Sequence, residues 1–473
     1  MKNINIIYIG LLLLVFGSCK SLSTELSIQE RTIPESFNTK TDTTTIADID
    51  WQEYFADEYL TGLIETALNN NLDLQIALQR VESVRSELLH AKGNLLPNLE
   101  GTAWAEQNRS AEYSVDWAGN EGGTFLSGDP LRPTYNDYFL GLTSTWEIDV
   151  WGKLKNKQRA AVAAYLSSVE GKNFVISNLV AEIAVLYFEL ISYDNSLDII
   201  QQTIQNKEKA IEVIKLMKEV GKANVLAVQQ FQSQLLEFKS LEKETLQQIT
   251  LYENKINVLL GRFPQPIERN KEKLFEETPQ QINTGIPSQL LANRSDIREA
   301  ELLVQESKFD LKSAKAAFYP SFNINSSVGL KAFNPNYLFL SPESIAYSAV
   351  GGLIVPLINK KALKAEFNSA KADQLSAMYH YQKTILNGYV EVANEINALE
   401  RLRKINSLKT EQSEVLTEAV EASTEFFRMA KANYLEVLIA EENSLQTKLE
   451  LIDVNKQQQI ATVNIYKALG GGW

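Results

Sequence analysis

The chain repeats itself. Asn70-Asn71-Leu72-Asp73 is echoed by Asn293-Arg294-Ser295-Asp296. At the same offset Val81 meets Val304, Leu88 meets Leu311, Ala91-Lys92 meets Ala314-Lys315, and Pro97 meets Pro320. Further on, Lys222-Ala223-Asn224 is echoed by Lys431-Ala432-Asn433, Leu226 by Leu435, Val228 by Val437, Lys239 by Lys448, and Leu260-Gly261 by Leu469-Gly470. The second offset is shorter because the first half carries a longer insert after Pro97. Self-similarity on this scale constrains the fold strongly, since each half must be one copy of the same structural unit. Residues 51–261 and 287–473 are therefore expected to be two repeats. The linker 262–286 holds Pro264, Pro266 and Pro279 and is expected to be irregular.

Both copies carry the same succession of patterns. An amphipathic helix is expected over about 74–95 and again over 296–318. Period-two alternation follows: Tyr138, Leu140, Leu142, Trp146 and Ile148 alternate with Gly141, Thr143, Thr145 and Glu147, and Phe322, Ile324, Val328 and Leu330 alternate with Asn323, Asn325 and Ser327. These predict strands with one apolar and one polar face, two per copy, flanking turn-rich loops near 106–133 and 331–344. Next come very long helices. Residues 153–220 contain no proline and one glycine, Gly171, and would span roughly 100 Å at 1.5 Å per residue. Leu179, Ile183, Leu186, Leu190, Tyr193, Leu197, Ile200, Ile204, Ile211 and Ile214 form a four-three seam, the pattern of a coiled coil or of a bundle core, which Lys207 interrupts. The second long helix is expected over 360–429. Return helices follow at about 224–260 and 433–469, with Asn224 and Asn433 placed to cap them.

Composition narrows the function. The chain has 473 residues, 46 Lys+Arg against 59 Asp+Glu, two His and one Cys. A net charge of −13 lacks the basic footprint of a nucleic-acid binder. Two histidines and one cysteine leave little for His/Cys metal sites or Cys–His nucleophiles, and no intramolecular disulfide can form. No phosphate-binding loop or redox motif is present. No catalytic residue, cofactor or metal is assigned. Glu147 and Asp149 would be a lone carboxylate pair on one strand face.

The first residues, MKNINIIYIGLLLLVFGSCK, place Lys2 before an apolar run too short to span a bilayer, then Gly17, Ser18 and Cys19, the only cysteine. This resembles a bacterial lipoprotein signal, with Phe16 where Leu is usual. The resemblance implies cleavage after residue 18 and acylation of Cys19 by chains such as palmitate, a stable anchor in the membrane lipid. An ordinary secretory signal is the alternative. Residues 19–50, Ser/Thr-rich and aperiodic, are expected to be an extended tether.

Four strands cannot span a membrane as an open sheet, because the edge amides would go unpaired in hydrocarbon. The smallest closed barrels have about eight strands. Spanning strands must therefore be shared between protomers, and the long helices' apolar stripes are likewise expected to need neighbouring subunits. A soluble sheet packed on the helices is the competing reading.

The string Trp146-Glu147-Ile148-Asp149-Val150-Trp151-Gly152-Lys153 resembles the W-E-[IL]-D-[LV]-W-G-[KR] signature of the TolC-type outer-membrane factors, in particular the lipoprotein subgroup of resistance-nodulation-division (RND) efflux systems. Trp51…Phe55…Asp57…Leu60, Leu179-Val180-Ala181-Glu182-Ile183-Ala184…Tyr187-Phe188 and the ending Leu469-Gly470-Gly471-Gly472-Trp473 match the same family. The resemblance implies an α+β membrane protein: a homotrimer with a 12-strand β-barrel, four strands per chain, continued by an α-helical coiled-coil barrel. It places the protein in the outer membrane of a Gram-negative bacterium, projecting into the periplasm. It implies a passive, gated exit duct working with a periplasmic adaptor (membrane fusion) protein and an inner-membrane RND transporter.

Site residues follow from the same resemblance. Trp146, Trp151 and Gly152 would mark the membrane interface, with Lys153, Lys155, Lys157 and Arg159 either a basic collar near head groups or a solvated helix face. The turns at Gly221-Lys222 and Ala430-Lys431 would dock the adaptor; the family's usual glycine in the second turn is absent here. Leu435, Glu436 and Ile439 would ring the aperture, with Ile439 standing where the family often has Asp. Glu441 and Glu442, a turn further on, are either part of the gate or solvated. Rival readings are a duct for type I protein secretion, a non-porous coiled-coil envelope lipoprotein, and a carboxylate-dependent hydrolase.

Overall fold

A computed structural model describes residues 23–29, 31–37, 44–115, 117, 123–124, 128, 130, 134–278, 283–356, 358, 360–429 and 431–473. Cys19 and Ala430 lie outside the described residues. Among the described residues the α-helices of five or more residues are α1 (Trp51–Phe55), α2 (Glu58–Asn70), α3 (Leu72–Gly93), α4 (Lys153–Glu219), α5 (Val225–Leu259), α6 (Ser295–Ala316), α7 (Lys360–Arg428) and α8 (Tyr434–Ala468). The strands are β1 (Asn98–Arg109), β2 (Thr134–Ile148), β3 (Ser321–Ala332) and β4 (Ile345–Ile354). α4 and α7 run unbroken for 67 and 69 residues. β1 extends into the segment expected to be loop, through Arg109. The described residues of the linker are mostly irregular, with a short 3-10 turn at Lys271–Phe275.

The chain divides into two compact units, each drawing on both halves of the sequence. The first takes in the described residues of Met1–Gln29, Ser83–Tyr165 and Leu302–Tyr379. It holds one antiparallel sheet of order β1-β2-β3-β4. Register fixes its faces: Leu99 pairs with Ser144, Leu142 with Val328, Trp146 with Ile324, and Val328 with Tyr347. One face therefore carries Leu140, Leu142, Val328, Ile345, Tyr347 and Leu353, all exposed. The opposite face is largely polar. There Thr102 and Thr143 hydroxyls bond at 2.8 Å, as do those of Ser327 and Ser348, and Lys331 pairs with Asp137 at 2.8 Å.

The second unit takes in the described residues of Glu30–Glu82, Leu166–Glu301 and His380–Trp473. Its main core joins α2, the 179–191 stretch of α4, the end of α5, Ile267 and Leu274 of the linker, and Ile452 and Val463 of α8. Asp57 organises the start of α2. Its carboxylate accepts from the Tyr59 and Leu60 amides and from the Tyr187 hydroxyl at 2.9 Å, which in turn accepts from the Asn270 amide. Burial pushes the Tyr187 hydroxyl well above the usual tyrosine range. Arg269 of the linker bridges α4 and α5 through Asp194 and Glu253.

The seam of α4 differs from expectation in two ways. Its apolar residues are buried within the chain: Leu190 among α2, α5 and α8 residues, Ile200 and Ile204 against Phe238 and Leu445, Ile211 and Ile214 against Phe231 and Leu438. The return helices supply the cover assigned above to neighbouring subunits. And Lys207 does not interrupt the seam; it is buried in it, 1% exposed. An 18-residue window of α4 reaches a mean hydropathy of 1.9, yet half of that window is buried in the protein, which the core accounts for.

Candidate functional site

Three places hold the site residues expected from the sequence. The first is the sheet itself. β1 and β4 each pair on one side only among the described residues, so both edges offer free backbone groups. Combined with an exposed apolar face, this is a surface that lipid can cover only after the edges are closed.

The second is the strand-to-helix junction at Trp146–Lys153. Asp149 is the structural centre of the motif. Its two carboxylate oxygens accept from the amides of Leu154 (3.0 Å) and Lys155 (2.7 Å), satisfying donors that a helix start leaves free. Gly152 adopts φ +76°, a left-handed turn that favours glycine. Glu147 pairs with Lys153 at 2.6 Å. Both carboxylates of the motif are thus engaged in holding the junction. The Trp151 indole donates to the Pro320 carbonyl at 2.7 Å and stacks on Tyr319 at 5.0 Å, fixing the junction of β2 to that of β3. The Trp146 indole donates to the Leu95 carbonyl at 3.1 Å, fixing it to that of β1.

The third is the pair of turns that join the long helices to their return helices. At the end of α4 the Lys222 amide bonds to the Met217 carbonyl (2.7 Å) and the Gly221 amide to Lys218 (3.1 Å), with Gly221 at φ +72°. This is the Schellman pattern of a glycine-terminated helix. At the end of α7 the Lys431 amide bonds to the Phe426 carbonyl at 2.8 Å, the same span. Asn224 and Asn433 cap α5 and α8, accepting from the Ala227 and Leu435 amides. Around the turns, Val220, Val225, Leu226 and Met429 are exposed. So are Leu435, Glu436 and Ile439, which stand together on the outward side of α8, while Val437 and Leu438 are buried against Ile211, Ile214 and Phe231.

Beneath the turns lies a feature that sequence reading passed over as an interruption. The Lys207 ammonium pairs with Glu441 of α8, donates to Gln234 of α5 at 2.9 Å, and sits 4.7 Å from the ring centroid of Phe231. One buried cation thereby ties α4 to both return helices. The seam position was legible in the sequence, and a lysine there signals a buried partner. Glu441 stands ten residues after the turn's Lys431, on the face of α8 that the sequence alone could not orient.

Comparison with known proteins agrees with this architecture. The family model described as "Outer membrane efflux protein" matches residues 63–262 and 286–471. The chain is 27% identical over 426 residues to "Cation efflux system protein CusC" of Escherichia coli O6:H1 (strain CFT073), covering 89% of this chain and 88% of that protein. It is 26% identical over 465 residues to "Probable outer membrane lipoprotein SilC" of Salmonella typhimurium, covering 97% of each. Among solved structures, the outer-membrane channel OprN aligns with a TM-score of 0.85 at 21% identity, over 95% of this chain and all of that one, which shows a shared fold. The chain belongs to the outer membrane efflux protein family, and the expected efflux role at the outer membrane stands with it.

Proposed function

We propose that the protein is the passive, gated exit duct of a tripartite RND-type efflux pump. Three chains close their sheets edge to edge into a 12-strand barrel, β1 of one protomer meeting β4 of the next. The observation that carries this is the four-strand sheet with one apolar, exposed face and two edges unpaired among the described residues. Mature protein is held by acylated Cys19, in keeping with a relative named as a lipoprotein. Energy comes from the inner-membrane transporter, and no chemistry is performed by the duct.

The same reading treats 51–261 and 287–473 as two copies of one unit, with 262–286 as linker. It is supported by a matched pair of close approaches. A side chain at Gly261 would strike the Asn70 carbonyl, and one at Gly470 the Asn293 carbonyl. Beside them Asn71 donates to the Leu259 carbonyl (2.9 Å) and Arg294 to the Ala468 carbonyl (2.7 Å), so different side chains do one job at equivalent positions.

The turns at Gly221-Lys222 and Ala430-Lys431 dock the adaptor. Leu435 and Ile439, with Glu436, form the aperture, and the buried Lys207–Glu441 pair holds the helices that carry it. The test is single-channel conductance in planar bilayers, with oligomeric mass taken on the same sample. A trimer with small, mostly closed conductance that Ile439→Asp or Leu435→Ala alters is expected. A monomer would overturn the duct, and a trimer whose conductance neither substitution changes would overturn the aperture placement.

A further inference from the structure

All four strand–helix junctions lie at one end of the sheet. The register requires it: Asn98 pairs with Thr145, Ile148 with Phe322, and Ser321 with Ile354. The four helices that end or begin there therefore bring their terminal turns to a common rim. Those turns are basic. Residues 87–93, 147–160, 309–316 and 360–367 together contain ten Lys and Arg against five Asp and Glu, a local balance of +5 in a chain of −13.

The carboxylates are mostly spoken for. Glu147 holds Lys153, Asp149 caps α4, and Asp310 pairs with Lys157 at 2.9 Å. That leaves Lys92, Lys155, Lys360, Lys361 and Lys364 exposed, with no ion pair among the described residues. The rim adjoins the exposed apolar sheet face, and Trp151 and Tyr319, an amphipathic stacked pair, stand on it. Apolar band, aromatic rings and lysines succeed one another in the order in which acyl chains, interface and phosphates succeed one another in a leaflet.

We propose that this rim is a binding surface for the phosphates of anionic phospholipids in the periplasmic leaflet, so that the protein gathers anionic lipid around its barrel. The proposal rests on the membrane-spanning reading of the sheet. Each exposed lysine is a compact, hydrated point charge on a flexible stem, suited to many head groups in a ring rather than to one bound molecule.

The experiment uses full-length trimer reconstituted in vesicles, with intrinsic tryptophan fluorescence quenched by brominated lipid. Brominated phosphatidylcholine reports whether the sheet faces acyl chains at all. Brominated phosphatidylglycerol in the same host lipid reports the preference. Wild type is expected to favour phosphatidylglycerol roughly fivefold, the size of one unit-charge contact in water, and to lose that preference in high salt. The quadruple variant K155Q/K360Q/K361Q/K364Q should bind the two lipids equally, and the matching Lys→Arg variant should keep the preference. Inorganic phosphate at millimolar concentration should not compete, because the surface is diffuse; competition would point to a discrete phosphate site and overturn the head-group assignment. Quenching by phosphatidylcholine without any phosphatidylglycerol preference would overturn the proposal and leave the barrel standing. Absence of quenching by either lipid would overturn both.

Discussion

The two long helices, α4 and α7, are nearly equal in length and opposite in how they are used. α4 buries an apolar seam against α2, α5 and α8 for most of its length in the second unit. α7 meets its neighbours there through a shorter apolar stretch and a series of polar groups. Glu391 pairs with Arg294, Lys409 with Glu450, Asn406 donates to Asn455, and Asn464 of α8 donates to Glu395. Val392 and Leu399 are the residues of α7 fully buried in a core there, with Tyr381, Ile385, Ile396 and Leu402 partly buried around them. Its own apolar residues Leu386, Val390, Ile405, Leu408, Val415 and Phe426 are exposed instead. Several are three, four or seven apart, the spacing of a seam without a partner. One long helix is thus completed by its own chain. The other leaves apolar surface exposed, which the trimeric helical barrel proposed above would cover.

The comparison breaks most sharply on Leu190→Pro. Proline removes a helix hydrogen bond and clashes with the preceding turn at a cost of about 3 kcal/mol, and here it also empties a fully buried site in the main core. Loss of cooperative thermal unfolding by circular dichroism is expected. A variant that melts as wild type does would remove α4 from the core.

Next in size is the buried cation. Glu441→Ala strands the Lys207 charge and should cost about 3–5 kcal/mol in urea unfolding, whereas the double variant Lys207→Met/Glu441→Leu, which removes both charges of the pair, should be near neutral or stabilising. Equal losses in the two variants would mean that the pair is itself a net source of stability. A smaller effect on the protomer, with a larger one on assembly, is expected of Leu408→Glu and Val415→Glu. Each should change protomer unfolding by about 0.5 kcal/mol or less, as exposed substitutions do, while mass photometry shows the trimer dissociating. A trimer that survives both would mean that α7's exposed stripe is not the seam between subunits.

Much of this was legible in the sequence, and the gaps have identifiable physical causes. Periodicity located every long element to within a few residues, because runs of 67 and 69 residues without proline admit few alternatives. Period-two alternation gave the sheet's faces, since a register shift of one residue would turn every side chain over. What periodicity could not give was which neighbour covers a stripe. The seam on α4 and the stripe on α7 look alike as strings. Only the placement of α5 and α8 tells the intramolecular one from the other. Lys207 read as a defect for the same reason: its partners Glu441 and Gln234 are 234 and 27 residues away. Asp149 read as half of a carboxylate pair because capping depends on where the next helix starts.

The smallest expected effect tests the polar character of the α7–α8 contact. Burial raises the Glu395 carboxyl above the usual range, and nearby Glu391 adds to this, while the Asn464 hydrogen bond and Lys467 oppose it. A raised carboxyl pKa means that the folded state binds the proton more tightly than the unfolded chain does. This group therefore favours folding increasingly as pH falls through its folded value toward the unfolded value of about 4.3, and it weighs against folding above that window. Glu395→Gln keeps the hydrogen-bonding shape without the charge. Its melting temperature should exceed that of wild type at pH 7 to 8 and converge with it near pH 4. A variant less stable than wild type at pH 8 would show that Asn464 and Lys467 outweigh burial. The contact between α7 and α8 would then be held by charge, and the contrast with the apolar seam of α4 would be stronger still.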